Sequence, residues 1–295
     1  MDSTKEAYAL VISANLIFAV AIQAFTYYSR KISATWMNYF KASVALICCI
    51  VAVFITGGDF DYSLKIIGLL LLSGIIGLAI GDLCLLAAFK ELGPGRAMVL
   101  VSFHPLITGV LSYLFHGQEI DFEKFWAILF MVACMITFSI ESFKLKGRWY
   151  IAGILLALAG VALDSLSMIL IKEVSQESTI GDFEGCAIRS LGAVIFFSIW
   201  AWFKPIKIWG HFKEQSTRGK WALLLSSFFG TFVALALYFR AIRLAEDNLA
   251  TLASINISCS IFASFFECIH QKTKPSKYLI ISFVFMLSGL YIFLK

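Results

Sequence analysis

Apolar residues run together along this chain in long stretches, each closed by a short polar or Gly/Pro-containing segment. The runs fall at about 8–26, 34–56, 64–89, 94–115, 123–142, 150–171, 184–203, 221–240, 248–269 and 277–294. At ~1.5 Å rise per residue, each is about long enough to cross a ~30 Å hydrocarbon layer. The pattern predicts an all-α membrane protein with ten transmembrane helices. Asp2, Lys5 and Glu6 precede the first run and give it no positively charged flank, so it is expected to be a retained helix rather than a signal peptide.

The runs repeat. Laying the third to fifth on the eighth to tenth at a constant offset of 153 puts Gly77 on Gly230, Ala88 on Ala241, Lys90 on Arg243, Ala97 on Ala250 and Gln118 on Gln271, without a gap. A second block lays residues 38–45 on 186–193 and places Lys41 on Arg189. The chain thus divides into two units, 1–145 and 146–295, of five runs each. An odd number of crossings per unit turns the second upside down, so the expected architecture is two inverted five-helix repeats. Small residues at Gly77 and Gly81 in the third run, and at Gly153, Ala157 and Gly160 in the sixth, predict close helix contacts.

Composition fits the same solvent: 60% of residues are hydrophobic, 15% are charged and the mean hydropathy is +0.86. A soluble domain carries far more charge. The net charge of +5 forms no basic stripe, so no nucleic-acid partner is expected. Instead the cations mark topology. Loops after the odd-numbered runs hold 15 Lys and Arg against 7 on the other side, termini included. By the positive-inside rule those loops are cytoplasmic and both termini lie outside. Trp36, Trp126, Trp149, Trp200, Trp202 and Trp221 stand near run ends, the depth an indole prefers.

The seven cysteines have no CxxC spacing and the four histidines no HxxxH or HExxH spacing, so neither a metal nor a disulfide framework is expected. There is no P-loop, no Gly-x-Ser-x-Gly and no cluster of His, Asp and Glu near one face; no catalytic residue and no cofactor is assigned.

Ionisable groups inside a span cost about 2.5–3.5 kcal/mol each and are candidates for function. Four qualify: Lys41, Asp82, Asp164 and Arg189. The two cations stand near run ends, from which long side chains can also snorkel to the headgroups. Depth along the helices matches Lys41 with Asp82, and Arg189 with Asp164, so two buried pairs are expected. His104 is a proton-coupling candidate. Pro105 removes a backbone donor from the fourth span and frees a carbonyl there. Asn15, Gln23, Tyr238 and Asn256 either line a substrate path or bond one helix to another.

Around these residues the chain reads Gly81-Asp82, then Ala87-Ala88-Phe89-Lys90-Glu91-Leu92-Gly93-Pro94-Gly95-Arg96-Ala97, then Ser102-Phe103-His104-Pro105-Leu106 and Gly117-Gln118-Glu119. This resembles the drug/metabolite transporter superfamily, and within it the EamA-type ten-helix proteins. In the second half Ser258 stands where Pro105 would repeat, and Lys272 where Glu119 would. No acid occurs between Glu6 and Asp59, which sets the chain apart from the small multidrug exporters of that superfamily, with their first-helix carboxylate.

The resemblance implies a secondary transporter in the cell (inner) membrane. Such a carrier moves a small metabolite, an amino acid or related polar or amine compound, by alternating access through a cavity between the repeats. Proton coupling, counter-substrate exchange and facilitated diffusion are the modes open to it, as a monomer or homodimer. The resemblance also implies cytoplasmic termini, against the charge count. The competing readings are a membrane-embedded sensor or assembly protein, and an intramembrane enzyme.

Overall fold

The structure, a computed structural model, describes residues 3–101, 103–116, 151–177, 180–244, 257–272 and 276–294, with isolated positions elsewhere. The expected fifth span lies largely outside the described residues, and Trp149 and Asn256 lie outside them altogether. Among the described residues every regular element is a helix. In chain order these are α1 (Ser3–Lys31), α2 (Ala34–Thr56), α3 (Leu64–Leu92), α4 (Pro94–Val101) and α5 (His104–His116). The second half holds α6 (Ile151–Glu177), α7 (Asp182–Phe203), the short α8 (Ile208–Lys213), α9 (Thr217–Leu244), α10 (Ile257–Gln271) and α11 (Lys277–Leu294). Six of them, α1, α2, α3, α6, α7 and α9, are long and apolar enough to cross a membrane.

The helix ends follow from local chemistry. Ser33, Ser63 and Ser216 are N-caps whose hydroxyls accept from Trp36, Ile66 and Gly219 backbone N–H groups. Gly57 ends α2 in the left-handed region at φ 71°, where a side chain would be strained. Gly93, at φ 93°, turns the chain between α3 and α4. The fourth expected span is broken into α4 and α5, and Pro105 sits in the first turn of α5, where its missing N–H costs nothing.

Two features escaped the sequence pattern. Inside α3 residues Gly74–Gly81 wind as a π-helix, and inside α9 residues Phe228–Val233 do the same. At the offset of 153 the second segment falls within the first, so the repeat extends to a backbone irregularity. Each π segment carries a glycine jammed against the first helix of the other repeat. A Cβ on Gly77 would lie 2.6 Å from Ser167 Oγ on α6, and one on Gly230 2.1 Å from Ala21 Cβ on α1. The widened turn exposes carbonyls, and Asn38 of α2 donates to two of them, Leu78 O at 3.1 Å and Ala79 O at 2.9 Å. The expected close contact of α3 with α6 is present: a Cβ on Gly160 would sit 3.0 Å from Gly81 O.

The two halves run in opposite senses. The end of α1 meets the end of α3, where Arg30 donates to Phe89 O and Lys90 O. That same end of α3 packs on Gly153 at the start of α6, and the end of α6 returns to the start of α3, where Lys65 pairs with Glu177. One face therefore gathers the ends of α1, α3 and α7 and the start of α9, and it is basic. On the opposite face Glu6–Arg240, Asp182–Arg243 and Lys65–Glu177 neutralise one another. Among the described residues, no Lys or Arg of the basic face forms an ion pair. Pairing thus sharpens the asymmetry that the count of cations shows.

Buried apolar residues form a plug toward each face. Phe25, Trp36, Phe40 and Phe89 anchor the one at the basic end, and Val11, Leu70, Met168 and Phe239 the other. Trp36, at the start of α2, is turned inward: it is 1% exposed, stacks on Phe40 at 5.2 Å and donates to Ile208 O. Among the described residues Trp126, Trp200, Trp202, Trp209 and Trp221 are exposed.

Candidate functional site

Between the plugs lies a cavity of about 160 Å³, walled by both halves. Its surface is mostly apolar, and its polar groups are Asn15 of α1, Lys41 of α2, Asp82 of α3, His104 of α5, Asp164 of α6, and Thr231 and Tyr238 of α9. Six of the ten residues singled out in the sequence thus converge on one space.

Lys41 does not snorkel. It is 3% exposed, and its Nζ donates to Asp82 Oδ2 at 2.6 Å while lying 5.4 Å from the centre of the Phe25 ring. An ammonium taken out of water needs this partner, and the ring face adds a weaker attraction. The expected first pair is therefore formed.

The second pair is not. Arg189 is 2% exposed and donates from Nε to Ser73 Oγ at 3.1 Å and from Nη2 to Ser167 Oγ at 3.1 Å; Nη1 has no hydrogen-bond partner. Asp164 forms no ion pair with it. That carboxylate is 47% exposed, points into the cavity and has its Oδ2 3.5 Å from His104 Nε2. The reason is azimuth. Equal depth places two residues in one layer but leaves open which way each faces, and Ser167, one turn along α6, is what α7 meets.

Asn15 does both jobs open to it. It lines the cavity, and its Nδ2 donates to Ile255 O at 3.1 Å and Ser258 Oγ at 3.0 Å, tying α1 to the start of α10. Gln23 is away from the cavity and bonds helix to helix, Nε2 to Ala263 O at 3.2 Å. Tyr238 lines the cavity and its hydroxyl contacts Met168 Sδ at 3.3 Å. Pro105 follows the cavity-lining His104 in sequence. The residues that sequence reasoning passed over are small or neutral: Asn38, Ser73, Ser167 and Thr231, together with Thr108, whose hydroxyl donates to Ser165 Oγ at 3.0 Å. Such groups carry no insertion penalty large enough to flag them; only the glycine pattern at Gly77 and Gly230 pointed to this layer.

In the cavity wall one ion pair is closed on itself, and among the described residues Asp164 pairs with no Lys or Arg. Among the described residues, no group of three or more His, Cys, Asp and Glu side chains assembles to hold a metal ion.

Comparison with known proteins agrees with this architecture. A family model, the EamA-like transporter family, matches the chain twice, over residues 5–140 and 151–295. No curated protein matches at a significant level. A solved structure titled only "Crystal structure of protein" superposes with a TM-score of 0.70 at 14% identity, covering 98% of this chain and 96% of that one, which is a likeness of fold. With both halves matched by the same family model, the chain is an integral membrane protein that belongs to the EamA-like transporter family.

Proposed function

We propose that this transporter is a ten-span secondary carrier of a small amine-bearing metabolite, of the amino acid or polar amine class, working by alternating access through the cavity between the repeats. The observation that carries the reading is Asp164. It is a half-exposed carboxylate in a mostly apolar cavity between two apolar plugs, and among the described residues it pairs with no Lys or Arg. A substrate ammonium supplies the missing cation, while Lys41 and Asp82 satisfy each other and leave no free positive charge in the cavity wall. At about 160 Å³ the space is close to the ~150 Å³ cavity that admits benzene, so the guest is about one ring or smaller. Loosening one plug while the other holds would open the cavity to one side at a time.

Purified protein in proteoliposomes should show counterflow of small amines, with and without a pH gradient. A same-sized alcohol or amide should be taken up at least about tenfold more slowly, the effect of losing one charge-assisted contact. Equal uptake of amine, alcohol and carboxylate would sink the substrate class; no uptake of any compound would favour the sensor or assembly reading.

The membrane is read as the cell (inner) membrane, with the basic face cytoplasmic and both termini outside, because the opposite face cancels its own charges. A reporter fluorescent only in the cytoplasm should stay dark when fused to either end of the chain. Bright fusions at both ends would reverse the orientation.

A further inference from the structure

The basic face carries a second pocket, of about 460 Å³, where the end of α7 passes the start of α2. Lys204 and Lys207 stand on the strap between α7 and α8, His211 on α8, and Ser33 and Thr35 at the start of α2; none of the lining residues is acidic. Among the described residues, neither lysine's Nζ has a hydrogen bond or an ion pair. Glu214, on the same turn as His211, is 3.3 Å from His211 Nδ1 and so is turned to the imidazole. Trp200 and Ile206 form the apolar side of the pocket, and the helices that flank it carry exposed apolar side chains: Trp202 is 88% exposed, Phe203 85% and Trp209 69%.

These facts fix a depth as well as a charge. Exposed indoles sit where hydrocarbon gives way to headgroups, and the lysines follow the last turn of a spanning helix by one to four residues. A phosphate at that height, flanked by an apolar surface, is what a phospholipid presents. We propose that this pocket is a binding site for an anionic glycerophospholipid, its phosphodiester held between Lys204 and Lys207 and its acyl chains lying along Trp202 and Phe203. The site is separate from the central cavity and does not depend on what that cavity carries. A lipid there would brace the strap against α2, through the buried Trp36 whose indole already donates to Ile208 O.

The test uses the full chain in nanodiscs of phosphatidylcholine, alone or with phosphatidylglycerol, reading thermal stability and, by native mass spectrometry, retained lipid. Phosphatidylglycerol should raise the melting temperature and remain bound. At about one kcal/mol per lysine, K204Q/K207Q should weaken its retention about thirtyfold while melting like the parent in pure phosphatidylcholine. Lys213→Gln, on the same face but outside the pocket, should leave retention unchanged. Equal loss with Lys213→Gln would reduce the effect to diffuse surface charge and overturn the site. Displacement of the lipid by millimolar inorganic phosphate would make it a soluble-anion site instead, and retention unchanged in the double variant would remove it altogether.

Discussion

Asp164→Asn should lower amine transport on the order of a hundredfold and leave the protein folded. The expectation rests on what the carboxylate does not do. Among the described residues it pairs with no Lys or Arg, and His104 Nε2 is 3.5 Å away, long for a hydrogen bond. Asparagine keeps the shape of aspartate, so no cavity opens and no buried charge is stranded. What is lost is a charged acceptor for a substrate ammonium, and removing a partner from a charge pair costs about 2–5 kcal/mol. Initial rates of counterflow, measured beside a melting curve of the same preparation, separate the two effects. Near-parental rates and an unchanged half-saturation concentration in Asp164→Asn would end the proposal that this acid receives the substrate. Asp82→Asn offers the contrast: it strands Lys41 and should first damage the fold.

The architecture was legible in the sequence because its strongest constraint is written in bulk. Hydrocarbon forces long apolar runs, and six of those expected stand as single long helices. The repeat was legible because glycine cannot be replaced where two helices touch, as Gly77 does at Ser167 and Gly230 at Ala21. The π segments at those glycines were not legible, since winding changes by one residue per turn without altering which residues are apolar. In the site, the charged members announced themselves by their cost, and Lys41 with Asp82 followed from depth. Arg189 shows the limit. Depth along a helix can be counted, but the direction of a side chain depends on packing, and two serines on α3 and α6 took the guanidinium that a carboxylate was expected to hold.

That difference between the two cations is measurable as coupling. Lys41→Gln should destabilise the protein by about 3 kcal/mol, and Asp82→Asn by a similar amount, because each leaves its partner charged and unmatched in a largely dry layer. The double change K41Q/D82N strands nothing, so it should recover most of one of those losses, a coupling of about 2–3 kcal/mol. The same cycle on Arg189→Gln and Asp164→Asn should add within about 0.5 kcal/mol, since the two groups do not touch. Arg189→Gln should couple instead to Ser167→Ala, because the serine hydroxyl is 3.1 Å from Nη2. Reversible unfolding in bicelles supplies all the values. Additive losses for Lys41 with Asp82 would mean that their 2.6 Å contact does not hold the α2–α3 seam. Strong coupling of Arg189 with Asp164 would mean that the two meet in a conformation of the carrier other than this one, with Asp164 exchanging His104 for the guanidinium as the cavity changes sides.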